Sequence, residues 1–239
     1  MNNEQIEMAY KQFFSDFGID PATGILSTHP NKRFATLPYI GSQYFSAAKK
    51  ILFVGLDIGI DEMYVYHNKD RYQNLDERRE AIEQDTKNFN QHIAGTYCSA
   101  LFLLKEVFGW EDAWAKFVSF DNFRQAATVK HRKDNENPLS YVALTNRYKF
   151  VEVGRDKSHG DSDRVFVDRE LEEAFLLKEI ELLKPNIVLF QGERFTPSDE
   201  TIQEIKRSNI EVIRAYHPSY FQKTGIQNPQ NYVDAFERV

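Results

Sequence analysis

Four short apolar runs, each followed by a compact polar loop, constrain the fold more than any other feature of this sequence. The runs cover residues 51–54, 141–144, 187–190 and 210–213. Helix-like patterns lie between them, and strands separated by helices pair in parallel through right-handed crossovers. The sequence therefore predicts an α/β fold, a three-layer α/β/α sandwich around a central, mostly parallel four-stranded sheet. All four loops then emerge at one edge, where open α/β sheets bind ligands.

The length of the chain favours one domain. At 239 residues the chain can bury roughly 70–75% of its unfolded surface, so it needs no disulfide or metal to stabilise a core. We expect a single domain over residues 1–239. Within it, an N-terminal helix and packing segment (1–49) precede a core that bears the motifs (50–221).

The composition limits the cellular compartment and the kinds of partner that we expect. Cys98 is the only cysteine, which excludes an internal disulfide and fits a reducing, cytoplasmic location. Residues 1–5 lack the basic start and apolar stretch of a signal peptide, and no apolar run approaches the roughly 20 residues of a membrane span, so we expect no membrane association. The net charge of −6 argues against a large nonspecific nucleic-acid surface but is compatible with a local basic cleft.

Three polar residues that follow these runs are the candidates for chemistry. Asp57 lies in a loop flanked by glycines, where its carboxylate can orient a water molecule or stabilise a cation, or can cap the next helix. His217 follows a strand directly and precedes a proline, so its ring can donate to a developing anion or bond to nearby backbone. Asn146 ends its strand; its amide can read a base edge or form an Asx turn.

The sequence contains no recognisable metal or cofactor motif. Four of its histidines have no partners at metal-ligand spacing: His67, His92, His131 and His159. Glycine-rich nucleotide-binding loops and a nucleophile elbow are also missing. We therefore expect no metal and no cofactor.

The order of the motifs resembles that of the uracil-DNA glycosylase superfamily. A glycine-rich loop follows the first strand, a strand ends in Asn146, another strand follows a Lys-Pro-Asn tripeptide (184–186), and His-Pro-Ser (217–219) comes last. The resemblance extends over residues 50–221. It implies a parallel sheet between helices and the hydrolytic excision of uracil or a related base, which members flip out of DNA into the cleft.

The resemblance also implies roles for individual residues. Asp57 matches the aspartate that positions water and stabilises the sugar cation, His217 the histidine that stabilises the departing base, and Asn146 the asparagine that reads uracil. Phe221 matches the hydrophobic wedge that fills the gap left in the DNA helix. Further residues are assigned by position, Gly55, Gly59 and Ile93 to base binding and Ser219 and Tyr220 to DNA binding.

The loop after the first strand departs from the family pattern. Residues 58–60 read Ile-Gly-Ile where one branch has Pro-Tyr-His. The spacing of Gly55 and Gly59 is instead that of the iron–sulfur branch, whose glutamate is replaced here by Leu56. One cysteine cannot hold the cluster of that branch, so we expect no metal cluster.

The phenylalanine that stacks on the flipped base has no clear counterpart. Ile93 falls near its position in the iron–sulfur pattern. Three tyrosines are alternatives: Tyr64, Tyr66 and Tyr72.

The predicted function is a DNA glycosylase that hydrolyses the N-glycosidic bond of uracil or a related deaminated or damaged base, with DNA as its partner. One alternative is an inactive module that keeps the fold and binds nucleic acid or a nucleobase-like ligand. Another is an enzyme that acts on a free nucleoside or another small molecule. The sequence makes no prediction of the oligomeric state.

Overall fold

The computed structural model describes residues 3–55, 70–88, 91–108, 120–130, 136–153, 167–192, 197–219 and 228–239. These residues form a mixed α/β structure in which helices lie on both faces of a central sheet. Among them, no helix is long and apolar enough to cross a membrane.

The described elements alternate in type along much of the chain. The helices are α1 (Asn3–Asp16), α2 (Leu75–Asn88), α3 (Gln91–Leu103), α4 (Lys105–Phe108), α5 (Phe120–Lys130), α6 (Arg169–Leu183), α7 (Asp199–Arg207) and α8 (Pro229–Asp234). The strands are β1 (Ile25–Leu26), β2 (His29–Phe34), β3 (Tyr39–Ile40), β4 (Ile51–Gly55), β5 (Val142–Asn146), β6 (Phe150–Glu152), β7 (Ile187–Gln191), β8 (Glu211–Ala215) and β9 (Glu237–Arg238).

The four apolar runs become the centre of a larger sheet than the sequence predicts. Its strand order is β3-β5-β4-β7-β8-β9, and the four inner strands are mutually parallel. The two outer strands pair antiparallel, which makes the sheet six-stranded instead of four-stranded. Each outer strand is only two residues long, too short to show a periodic pattern in the sequence.

Alternating residues of the inner strands enter two separate apolar cores. On β4, Ile51 and Phe53 pack with α3, α5 and α8, whereas Leu52 and Val54 pack with α1 and α6. Because both faces are covered, the strands are apolar on both sides and appear in the sequence as continuous hydrophobic runs.

The N-terminal segment, predicted to pack against the core, lies mainly against the second of these cores. Phe34 and Tyr44 are buried in this core, and Tyr39 is buried in the first core. Phe14 of α1 lies 4.8 Å from Phe34 and 4.9 Å from Tyr72 between ring centroids. β2 also pairs with β1 and β6 in a small antiparallel sheet, which ties this segment to the chain just beyond β5.

The last residues of the four parallel strands form one row at the carboxyl edge of the sheet. Gly55 pairs with Asn146, and Gln191 pairs with Ala215. The alternation of the strands directs these four positions to the face covered by α3. The register therefore places two amide side chains in one row with two small residues.

Candidate functional site

Gly55 forms the floor of a small recess between two amide side chains. A Cβ atom built on this glycine would lie 3.4 Å from Asn146 Oδ1 and 3.8 Å from Gln191 Oε1. These oxygens come from the strands on either side of β4. Because glycine has no side chain, no β4 side chain separates the two amide oxygens.

Asn146 carries a buried donor, Nδ2, in addition to the oxygen that lies near Gly55. The residue is 7% exposed, and its Nδ2 has no hydrogen-bond partner among the described residues. Buried side-chain donors are nearly always paired in folded proteins, because an unpaired one forfeits its hydration. This donor lies at the carboxyl end of a parallel strand, which is where open α/β sheets bind ligands.

The orientation of the Gln191 amide is fixed by helix α3. Its Nε2 donates to Thr96 Oγ1 at 2.8 Å, and the Thr96 hydroxyl donates in turn to the backbone carbonyl of His92 at 2.9 Å. Since the single hydroxyl hydrogen is used in that second bond, the hydroxyl can only accept from Gln191. The carbonyl Oε1 of Gln191 is therefore the end directed to the recess over Gly55.

His217 lies two residues beyond β8, at the same edge of the sheet. Its ring is half-buried and stands edge-on to the ring of His92, with centroids 5.0 Å apart. Ser219 Oγ lies 2.9 Å from Nδ1, and the Ser219 backbone N–H also donates to Nδ1 at 3.4 Å. Because a backbone N–H can only donate, Nδ1 is the acceptor, and the neutral ring carries its proton on Nε2.

A buried carboxylate holds the backbone next to Asn146. Glu173 of α6 accepts hydrogen bonds from Arg147 Nη2 at 2.7 Å and from Ser198 Oγ at 2.6 Å. The Arg147 backbone N–H donates to Gly55 O at 2.8 Å, which ties the end of β5 to the end of β4. Burial opposes ionisation of Glu173, yet hydrogen bonds from Ser198, Thr201, Arg169 and Arg147 outweigh it and lower its pKa to about 2.

A second buried network lies under the strand position before Asn146. Thr145 Oγ1 donates to Glu179 Oε2 at 2.9 Å, and Tyr10 OH donates to Glu179 Oε1 at 2.9 Å. Lys149 Nζ forms an ion pair with the same carboxylate. Burial lowers the pKa of Lys149 and raises that of Tyr10. These bonds anchor β5 to α6 and α1 on the face opposite the recess.

The structure describes some of the predicted site residues and not others. Gly55, Asn146 and His217 lie at one edge of the sheet, whereas the predicted grouping of Asp57 with Asn146 and His217 includes a residue outside the described part and stays a prediction. Ser219 lies beside His217 and bonds to its ring. Four predicted site residues lie outside the described part of the chain: Asp57, Gly59, Tyr220 and Phe221.

Two of the candidates for stacking on a flipped base, Ile93 and Tyr72, are buried in the apolar cores. Ile93 is on α3, beside the recess, but its side chain is 4% exposed and belongs to the apolar core there, so its role in base binding stays a prediction. Tyr72 packs against Phe14 in the other core, and its hydroxyl donates to Pro21 O. Tyr72 therefore lies on the other face of the sheet from Gly55, and its role as the stacking residue stays a prediction. Tyr64 and Tyr66 lie outside the described residues.

Gln191, Thr96 and His92 join the site without having been predicted as site residues. The sequence carried a signal for one of them, since Gln191 ends an apolar run as Asn146 does. Thr96 and His92 are recognisable only once α3 is seen to cover the ends of the strands.

Within the described ranges, no three His, Cys, Asp or Glu residues are grouped so that they could hold a metal ion. The polar side chains at this edge of the sheet are amides and imidazoles, which suit hydrogen bonding to a polar organic ligand. No protein-family model matches this chain, and no curated protein matches it significantly.

Proposed function

We propose that the protein is a DNA glycosylase that hydrolyses the N-glycosidic bond of uracil or a related deaminated or damaged base. The observation that carries the proposal is the buried amide of Asn146 beside Gly55, whose Nδ2 has no hydrogen-bond partner in the part of the chain that the structure describes. It lies at the same sheet edge as the Nε2–H donor of His217. Amide recognition and a neutral imidazole donor are what the removal of a base as an anion requires.

Asn146 serves in recognition. Its amide has one donor end and one acceptor end, and a deaminated base has a carbonyl next to a ring N–H. In our proposal Nδ2 donates to the carbonyl and Oδ1 accepts from the ring N–H. The ends of β5 and β8 are three strand spacings apart, roughly 14 Å, which leaves room for a nucleobase between their side chains.

In this proposal His217 stabilises the base as it leaves. As the glycosidic bond breaks, the bonding electrons move to the base, and negative charge develops on its carbonyl oxygen. An Nε2–H donor aimed at that oxygen stabilises the charge more in the transition state than in the ground state, which accelerates the reaction. The reaction then needs no cofactor to accept the electrons.

Asp57 follows Gly55 by two residues in the sequence. We assign to its carboxylate the positioning of the attacking water and the stabilisation of the sugar cation. The water oxygen bonds to the anomeric carbon, and a water proton is released, so that the products are an abasic site and the free base.

The test is an excision assay with oligonucleotides that carry uracil, hypoxanthine or xanthine, scored for abasic sites. We expect His217→Ala and Asp57→Asn each to slow single-turnover excision by about 10²-fold or more while DNA binding changes little. The exposed residue His29 provides the matched control, His29→Ala, which should leave the rate unchanged.

Absence of abasic sites with every base would overturn the proposal. If the protein then still bound nucleobases or DNA, the non-cutting binding module would be the correct interpretation. Unchanged rates in both site variants would show that the residue assignments are wrong.

A further inference from the structure

Helix α3 carries a second imidazole at the carboxyl edge of the sheet, and the proposed reaction assigns it no role. His92 lies in the first turn of α3, and the centroid of its ring is 5.0 Å from that of His217. The two ring planes stand at 86° to each other, so the rings meet edge to face. Aromatic rings prefer this arrangement, because the positive edge of one ring then meets the negative face of the other.

The neighbouring backbone holds the two rings together. Gly95 is three residues after His92 and therefore lies on the same face of α3. This glycine packs directly against Pro218, the residue that follows His217. Two consecutive loop residues thus contact one face of the helix one turn apart, which fixes the distance between the helix and the loop. His92 is consequently held against His217 by its place in the fold.

Hydrogen bonds from Ser219 restrain the His217 ring on one side only. The Ser219 hydroxyl and backbone N–H both lie at Nδ1, whereas Nε2 is on the far side of the ring. The backbone bond is long, at 3.4 Å, so it restrains the orientation weakly. The last torsion of a histidine side chain has broad minima, so it does not fix the ring plane either. A second ring packed nearly perpendicular to the first opposes rocking of that plane.

We propose that His92 is a positioning residue that fixes the ring plane of His217, and with it the direction of the Nε2–H bond. The kinetic part of this inference rests on the proposed function, in which that bond is directed to the carbonyl oxygen of the departing base. Hydrogen bonds weaken steeply as they bend, so a rocking ring would stabilise the developing charge less. His92 accelerates departure of the base without touching it. Because His92 is exposed, this effect can be measured apart from the stability of the core.

The first experiment measures the mobility of the His217 ring in the full chain without DNA, by NMR of isotope-labelled histidine side chains. In His92→Ala we expect the order parameter of the His217 ring to fall and its ring-proton signals to shift, because the neighbouring ring is gone. The Nε2–H tautomer should persist, since Ser219 sets it. His92→Phe supplies a ring of similar shape and should restore the order parameter. Equal order parameters in the parent protein and His92→Ala would overturn the proposal whether or not the protein cuts DNA.

The second experiment measures single-turnover excision at saturating protein, together with DNA affinity and Tm. Misplacing a reacting group by about 1 Å slows an enzyme by about 10²-fold, and a loosened ring should cost less, about tenfold in His92→Ala. DNA affinity and Tm should stay near those of the parent protein. His92→Phe should recover the rate to within about threefold. The exposed residue His29 again provides the matched control, and His29→Ala should change neither the rate nor the His217 signals.

The outcomes separate the two proposals. A ring that loosens in His92→Ala and recovers in His92→Phe, in a protein that excises no base, overturns the glycosylase and keeps the restraint on His217. Excision that is equally slow in both variants overturns the proposal, because His92 would then act through its own polar atoms. A loss of DNA affinity at an unchanged saturated rate overturns it by making His92 a DNA contact. A sharply lower Tm in His92→Ala, or a chain that does not fold, also contradicts it, because the ring would then support the fold.

Discussion

Gly95 of α3 lies so close to Pro218 that a Cβ atom on the glycine would be 2.6 Å from the proline Cβ and 2.8 Å from its Cα. Side chains do not approach one another this closely, so only glycine permits the contact. Pro218 directly follows His217. The missing side chain of Gly95 therefore sets how near helix α3 comes to the loop that carries the imidazole.

Gly95→Ala should damage both stability and activity. In an ordinary helix interior this change stabilises by about 1 kcal/mol. Here the added methyl group must displace the Pro218 backbone, and such overpacking typically destabilises by about 1–3 kcal/mol. We expect a lower Tm and slower base excision as His217 moves from its position. A Tm and an excision rate equal to those of the parent protein would show that the helix and loop separate freely.

Gly55→Ala should affect ligand binding and not stability. The new Cβ would lie 3.4 Å or more from its neighbours, which is ordinary contact, and this glycine has no positive φ that would strain an alanine. The methyl group would instead fill the recess between Asn146 and Gln191. We expect Tm to change little while affinity for a free base falls by about tenfold or more.

Gly24→Ala provides the contrasting variant for that experiment. Gly24 has φ +77°, and a Cβ on it would lie 2.9 Å from Tyr72 Cδ1, on the other face of the molecule. We expect this variant to lower Tm and to leave base affinity unchanged. Loss of stability without loss of affinity in Gly55→Ala would contradict the recess as a binding site.

The inner strands could be predicted from the sequence because burial on both faces makes them continuous apolar runs. Each predicted run agrees with the observed strand to within two residues at either end, and Asn146, Gln191 and His217 lie at the predicted edge. The two outer strands have only two residues each, which is too short for a periodic pattern that the sequence could reveal. The number of strands was therefore the part of the fold that pattern alone could not supply.

The polar networks under the site could not be predicted for a different reason. Glu172, Glu173 and Glu179 lie buried on α6, although glutamates in a charged helix are usually solvated. Their partners include Arg147 and Ser198, which are about 25 residues away on either side of the helix in sequence. No local period encodes such pairing, since it exists only after the sheet has brought the segments together.

Glu173 should make the protein sensitive to acid. Its folded pKa of about 2 lies below the ordinary value of 4.5, so the unfolded chain takes up its proton first as the pH falls. The stability that Glu173 contributes is complete above about pH 4.5 and is lost as the pH falls toward 2. We expect Glu173→Gln to lower the free energy of unfolding at neutral pH by on the order of 2–3 kcal/mol.

Denaturant unfolding at a series of pH values tests this contribution. The slope of stability with pH below about 4.5 should be flatter in Glu173→Gln than in the parent protein. Glu170 lies on the same helix and is exposed, so Glu170→Gln is the matched control and should keep the parent slope. Parallel curves for parent and Glu173→Gln would contradict the role of the carboxylate.

Glu172 should change the pH dependence of stability in the opposite direction to Glu173, and at higher pH. Burial raises its pKa to about 7, although the backbone N–H groups of Lys149 and Val167 donate to it and oppose the shift. Between about pH 4.5 and 7 the folded protein holds a proton that the unfolded chain has released, so stability falls as the pH rises through this range. Glu172→Gln should remove that decline, whereas Glu181→Gln on the exposed face of α6 should not. A decline that persists in Glu172→Gln would assign it to another group.

The last prediction concerns Phe221, which lies outside the described residues. As a wedge, Phe221 would enter the base stack when a nucleotide flips out, and unstacking a step opposes flipping by a few kcal/mol. Phe221→Ala should then slow excision from duplex DNA and spare single-stranded DNA, in which the base is already unstacked. Tm should stay near that of the parent protein, because an exposed wedge contributes little to packing.

The competing interpretation places Phe221 against the terminal helix near Tyr232 and Phe236. Tyr232 is fully buried, and its hydroxyl donates to the carbonyl of Tyr216, next to His217. A phenylalanine packed there would stabilise the fold, and its replacement by alanine would destabilise it by about 3–5 kcal/mol. Excision from both kinds of DNA would then fall together with Tm. A duplex-to-single-strand rate ratio that does not change in Phe221→Ala, accompanied by a sharply lower Tm, would end the wedge hypothesis.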